Sequence, residues 1–411
     1  MITSRFILVL SILGLVLPAL SAAPGFKATL TQRGVSYAKD VGLEVLKQKL
    51  SQITVPEITG KEHVTIIGDI DYTLSNIVIT DVLLPTSVAE IEANKDVKIS
   101  VSKSSAKMTL SWTYREENWP HVSGSGTADV SMSDFDITIT VTLGEVTGKA
   151  TVSSLVASVD VNNLSITVHG GPSWLYNLFI DIFKSYIESA ANTAIANAIE
   201  NEKSQLDSVI ATIPISYTLE DDNVPLATLG FGLTTAPIIG SNYISLSVAG
   251  VWSTVPGGAV SPYTPTAMPT LDTTEMLEVT LVPYVFDSAI WVLWKEGKLE
   301  YTVTPADVPA TSPVKLNTTN FKGYVPLLYQ KYPNKGLEIK ITPETPLPLT
   351  KMNSSGITIN LKIDMEVMVI VDNKTITPAF ILELDVVASA KATLNNTAIS
   401  INLSHVSDSA T

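Results

Sequence analysis

Residues 173–210 read SWLYNLFIDIFKSYIESAANTAIANAIENEKSQLDSVI, a run with no glycine and no proline. Leu175, Leu178, Phe179, Ile182, Phe183, Tyr186 and Ile187 recur at three- and four-residue spacing and form one broad apolar face. Ser173 can cap the start. At about 1.5 Å per residue, a helix over 173–212 approaches 60 Å. A helix that long needs a long, curved surface on which to bury its face.

The preceding sequence supplies one. Between His63 and Val168, segments such as Val64–Thr73, Ser75–Thr80, Val97–Val101, Lys107–Tyr114, Gly126–Met132, Asp136–Leu143 and Lys149–Val156 are rich in Val, Ile, Thr and Ser. Many alternate apolar with polar, which predicts a long antiparallel meander with one wet and one dry face. Ahead of it, residues 34–52 predict an amphipathic helix, with Val35, Ala38, Val41, Val45 and Leu46 on its apolar side. After the long helix come strands at Ile215–Leu219, Ala227–Leu233 and Tyr243–Trp252. VPGGAVSPYTPTAMPT (Val255–Thr270) then reads as a linker. Beyond it a weaker echo begins, with a strand at Met276–Leu281, a helix at Tyr284–Glu296 and further strands to Leu403. This echo has no counterpart to the long helix. The expected division is a leader over 1–23, a first domain over 24–253, a linker over 254–273 and an incomplete second domain over 274–411.

The chain has 411 residues, 45% of them hydrophobic and 16% charged, and a net charge of −14. So few charges exclude a disordered or coiled-coil protein. The acidic balance argues against nucleic acid as a partner and against adhesion to anionic membranes by charge alone. No cysteine is present, so disulfides and thiolate chemistry are excluded. Arg5, the apolar run Phe6–Leu17 and the small residues Ala19, Ser21, Ala22 and Ala23 predict a secretory signal and an extracellular protein. Six N-x-S/T sequons, at Asn163, Asn317, Asn353, Asn373, Asn395 and Asn402, agree with secretion as candidate glycosylation sites.

The sequence gives an enzyme little support. H-x-x-x-H, G-x-S-x-G and P-loop patterns are absent, and the four histidines (His63, His121, His169, His405) show no ligand spacing. Asp69/Asp71 and Asp134/Asp136 read as solvated strand faces rather than a cation site. No metal or cofactor is expected.

Pro24–Gly60 (PGFKATLTQRGVSYAKDVGLEVLKQKLSQITVPEITG) resembles the start of the family of bactericidal/permeability-increasing, lipopolysaccharide-binding and plasma lipid transfer proteins. The carriers are Gln32-Arg33-Gly34 ahead of the helix, and Val55-Pro56 behind it. Gly68-Asp-Ile-Asp-Tyr72 and Ile77–Pro85 are similar to the family's first strand pair, and Gly170–Leu178 to its entry into the long helix. Tyr284–Lys298 and Tyr324–Leu349 are similar to part of its second domain. The resemblance, over about residues 24–403, implies an α+β fold shaped as an elongated boomerang. Two barrel-like domains, each a curved antiparallel sheet around a long helix, meet at a central sheet. It also implies an apolar pocket for a phospholipid or other acyl-chain lipid, in lipid transport or in innate recognition of bacterial lipid.

The candidate wall comprises Val35, Ala38, Val41 and Val45 from the first helix, and Leu175, Leu178, Phe179, Ile182, Phe183 and Ile187 from the second. Trp112, Tyr114 and Trp119 are candidates for transient contact with a membrane or lipid particle. The family's first domain carries a disulfide between a strand and the long helix. The matching stretches, Thr151–Ser158 and Asn197–Glu202, hold no cysteine, so packing must make that tie. Residues 24–253 hold 14 Lys/Arg and 25 Asp/Glu, a net of −11, which disfavours recognition of an anionic glycolipid by charge. The competing reading is an extracellular protein-interaction protein whose barrels are filled by side chains.

Overall fold

Strand Asp96–Glu116 alternates buried and exposed residues along most of its length, and so does strand Ser123–Val146. The computed structural model describes residues 23–161, 163–178, 182–271, 274–353, 356–372, 375–395 and 398–410. The leader expected over 1–23 therefore lies almost wholly outside the described residues. The meander forms an eight-stranded sheet whose main path runs 54–55, 68–83, 96–116, 123–146 and 149–160.

Its long strands are bent rather than broken. Asn76, Asp81, Lys103 and Asp134 have positive φ, and register shifts fall at or beside these positions. A bulge of this kind adds a residue to one strand, sharpens its twist and curls the sheet. The curl wraps around the long helix. This helix is described as α2 (Ser173–Leu178) and α3 (Lys184–Ala211), with a π-type turn at Ile182–Phe183.

The helix is held at its two ends by different means. Near its start, Phe183 meets the Tyr72 ring at a tilt with centroids 4.5 Å apart, and Trp174 meets Tyr114 edge-on at 5.1 Å. Further on, alanines 191 and 194 let the helix lie close against strand Lys149–Asp160. That strand is the outer member of the sheet, so its outward N–H groups need acceptors. The helix provides them. Val161 N–H donates to Asn192 Oδ1 (3.2 Å), Ala157 N–H to Glu200 Oε1 (2.9 Å), and Val152 N–H to Asp207 Oδ1 (2.8 Å). Residues 192, 200 and 207 are two turns apart and share a helix face. One of these polar staples, Ala157–Glu200, joins the two stretches for which the family resemblance implies a disulfide.

The first helix, α1 (Gln32–Leu50), follows strand Phe26–Thr31 without a loop. Strand 26–31 is central to a four-stranded sheet ordered 238–239, 243–248, 26–31, 277–281. This sheet takes strands from both sides of the Pro-rich segment and joins the two halves. A Cβ at Gly34 would strike the Met276 carbonyl, so only glycine lets α1 start this close to strand 277–281.

α4 (Tyr284–Lys295) packs against strand Val251–Thr254. The buried Asp287 accepts from Thr350 N–H at 2.7 Å. The second large sheet runs 301–303, 336–343, 356–372, 375–395, 398–410, with 351–353 on its flank. Its core, around Leu337, Val367 and Val369, is closed by α5 (Thr318–Phe321) and α6 (Pro326–Lys331) through Phe321 and Leu328. Among the described residues, no helix after Ala211 is longer than α4.

Candidate functional site

One stripe of α1, residues Val35, Ala38, Gly42, Val45, Leu46 and Lys49, faces a cavity of about 440 Å³. The spacing of three, four, three, one and three keeps these positions on one side of the helix. The opposite wall is the sheet, where the cross-strand partners Val97 and Val141 stand beside the partners Ile99 and Ile139. Ile199 and Leu206 of α3 form a third side, and the pair Leu30–Ile244 of the central sheet forms a fourth. Strand 26–31 alternates by design. Phe26, Ala28 and Leu30 share the apolar face, whereas the buried Thr29 bonds Ser245 at 2.5 Å on the other.

The charged groups in the lining are Lys39, Lys49 and Glu202. Lys49 pairs with Glu202 at 3.1 Å, and Lys39 pairs with Asp40 and bonds Ser87 Oγ at 2.7 Å. The charges are thus matched among themselves, and the remaining walls are hydrocarbon. Such a cavity suits an apolar chain.

A smaller apolar cavity of about 230 Å³ continues along the same sheet face, under Ala28 and Leu246. Its helix residue, Ile210, is one turn beyond Leu206. A larger groove of about 790 Å³ crosses the sheet at Thr80–Leu83, Ser105–Lys107 and Ser131–Ser133. Its serines and the Lys107–Asp81 pair give a hydrocarbon chain little to bury against.

The residues singled out in the sequence divide between cavity and core. Val35, Ala38 and Val45 line the cavity. Val45 is 51% exposed because it faces that open space. Val41, equally exposed, stands off the lining. Leu175, Phe183 and Ile187 are fully buried, and Ile182 packs against them, in the core shared with Tyr72 and Trp112. From Phe183 to Ile199 is about 24 Å along the helix, so these residues hold the helix rather than line the open cavity. Phe179 and the side chain of Leu178 lie outside the described residues.

The expectation that Trp112 and Tyr114 meet a lipid surface is corrected. They are 1% and 6% exposed, on the inward face of strand 96–116, and Trp112 Nε1–H donates to Thr127 O at 3.0 Å. Burial raises the Tyr114 hydroxyl above its ordinary pKa, as it does that of Tyr72. Trp119 is 87% exposed, in the loop before strand 123–146, and Ile66, in the turn before strand 68–83, is 73% exposed.

Among the sequons, Asn163 and Asn353 are exposed, and Asn317 accepts from Asn320 N–H at 2.8 Å as the cap of α5. Asn373 lies outside the described residues, as do the side chains of Asn395 and Asn402. Asp69 pairs with His63 at 2.6 Å and Asp71 with Lys61 at 3.4 Å, both at the surface. Glu344, Asp364 and Glu383 gather on the second sheet, where none is fully buried.

Sequence reading missed Ile199, Leu206, Gly42 and the sheet pairs at 97–141 and 99–139 as cavity residues. Ile199 and Leu206 keep the helical phase of Ile187 and Ile195, but the intervening charges Glu200, Glu202 and Lys203 hid them. Gly42 alone carried a signal, as a glycine inside an otherwise regular helical pattern.

Comparison with known proteins agrees with this architecture. The model of the N-terminal domain of the LBP / BPI / CETP family matches residues 34–211, and that of its C-terminal domain matches 224–406. The bactericidal permeability-increasing protein of Sebastes schlegelii is 28% identical over 97% of this chain and 86% of its own length. Human lipopolysaccharide-binding protein is 26% identical over 93% of this chain and 78% of its own. A crystal structure of lipopolysaccharide binding protein superposes with a TM-score of 0.65 at 22% identity, covering 95% of this chain and 84% of that one. With both domain models matched in order, and with the central sheet joining the halves they describe, the chain belongs to the LBP / BPI / CETP family.

Proposed function

We propose that the protein is an extracellular, non-enzymatic lipid binder that seats an acyl chain of a phospholipid or related lipid between α1, α3 and the first sheet. The apolar cavity of about 440 Å³, with its few charges paired among themselves, carries this reading. Each methylene moved from water into such a site stabilises by about 0.8 kcal/mol, so a chain of ordinary length is retained without a catalytic group. Relatives named for bactericidal permeability increase and for lipopolysaccharide binding support a role in recognition of bacterial lipid; lipid transport uses the same site. The net charge of −14 favours recognition through the chain over recognition through phosphate charge. Trp119 and Ile66, both strongly exposed, are the side chains the first domain would bring to a membrane or lipid particle during exchange.

Transfer of a fluorescent phospholipid from donor vesicles tests the reading. Saturable uptake that Leu206→Trp abolishes in a protein of unchanged melting temperature is the expected result. Absence of uptake points instead to filled barrels and a protein-interaction role.

A further inference from the structure

The chain is acidic overall, yet residues 308–337 hold four lysines and no aspartate or glutamate. The lysines are Lys315, Lys322, Lys331 and Lys335, and this stretch contains α5 and α6. The helices turn Phe321, Val325, Leu328 and Tyr332 inward onto the core of the second sheet. That leaves Tyr324 (87% exposed) and Leu327 (74% exposed) outward, although both are apolar enough to have joined the core. Leu327 and Lys331 are one turn apart on α6, so an apolar and a cationic group share its outer side.

Among the described residues, none of the four lysines pairs with a carboxylate. Lys315 donates to the carbonyls of Pro309 and Ala310 at 2.9 and 2.8 Å, and Lys335 donates to that of Val371 at 2.7 Å. Lys322 lies over the Tyr329 ring at 5.0 Å and Lys331 over the Tyr332 ring at 5.2 Å. Carbonyls and rings orient the ammonium groups without cancelling their charge.

From this juxtaposition we infer that the α5–α6 end of the second domain docks on an anionic phospholipid bilayer. Tyr324 and Leu327 enter the interfacial layer, and the lysines face the lipid phosphates. The rest of the chain is repelled by an anionic surface, so the local positive charge also sets the orientation of approach. Side chains that stand this free of their neighbours suit a fluid headgroup layer, where a tyrosine and a leucine beside lysines are the usual anchors. The inference does not depend on what the first-domain cavity holds.

Flotation of the full chain with phosphatidylcholine vesicles, with and without phosphatidylglycerol, tests it. Tyr324→Ser/Leu327→Ser, Lys322→Gln/Lys331→Gln and Trp119→Ser are compared with the wild type at low and high salt. The expected result is salt-sensitive binding that requires phosphatidylglycerol. It should fall at least tenfold in the Tyr324/Leu327 variant, and about fivefold for each lysine removed. Trp119→Ser should lower it less than the Tyr324/Leu327 variant does. Native mass spectrometry of the same samples reads cavity occupancy separately, and the tip variants should leave occupancy unchanged. No binding by the wild type, equal binding by all four proteins, or a loss confined to Trp119→Ser would overturn the inference.

Discussion

Gly42 lies inside α1, on the stripe that faces the cavity, and a Cβ built there meets no atom within 4 Å. Two substitutions at this position therefore separate helix stability from cavity volume. Gly42→Ala removes the backbone entropy that glycine loses in a helix interior, and should stabilise by about 1 kcal/mol. For a domain of this size, that is a rise in Tm of about 2–4 °C. Its single methyl leaves the cavity open, so lipid occupancy should stay at the wild-type level. Gly42→Phe keeps part of the helix gain but adds a ring with about 150–250 Å² of surface to bury. If the ring excludes about four methylenes of a bound chain, retention weakens by about 3 kcal/mol, or two orders of magnitude. Thermal unfolding and native mass spectrometry on the same three proteins give both quantities. A Phe variant that folds and holds lipid at wild-type occupancy would show that the chain is seated elsewhere. A Gly42→Ala protein that melts lower would refute the helix assignment of the position.

Phe183→Ala should destabilise the first domain by about 3–5 kcal/mol in urea unfolding, because it removes a buried ring packed against Tyr72. Where the protein remains folded, its lipid occupancy should be unchanged. Asp207 tests the polar staple: its hydrogen bond from Lys203, with the Val152 N–H second, holds its carboxyl below the ordinary value of 3.8. A lowered folded-state value contributes stability that is complete above the unfolded value and is lost as pH falls through the folded one. The gap in urea midpoint between wild type and Asp207→Asn should therefore be constant near neutrality and close in acid. Asp287→Ala leaves the Thr350 N–H without its carboxylate at a buried site and should cost about 1.5–3 kcal/mol. Protease sensitivity near residues 345–350 would report the same loss.

The helices were legible in the sequence because their periodicity is local. Residues 34–52 and Tyr284–Glu296 predicted helices that the structure places at Gln32–Leu50 and Tyr284–Lys295. The meander was legible as strands but not as lengths. Val97–Val101 and Lys107–Tyr114 read as two strands because the alternation slips between them. In the structure they are one strand, Asp96–Glu116, and the slip is the bulge at Lys103 that bends it.

The cavity was only half legible. The α1 side could be read from its stripe. The α3 side could not, because apolarity is greatest near Phe183, where aromatic partners fill the space, and weaker near Ile199 and Leu206, where the space stays open. Hydrophobicity marks what must be buried; whether a side chain or a ligand covers it depends on strands far away in sequence. Trp112 and Tyr114 illustrate the same limit. Beside Trp119 they read as one aromatic tip, yet they occupy the inward positions of a strand that ends at Glu116, before the exposed loop begins.

Native mass spectrometry of the purified protein, followed by organic extraction and lipid identification, tests the central claim most directly. The account expects at least one acyl-chain lipid per chain, displaced by Gly42→Phe or Leu206→Trp and retained by Gly42→Ala. A wild-type protein that carries no lipid and takes none from phospholipid vesicles would contradict it.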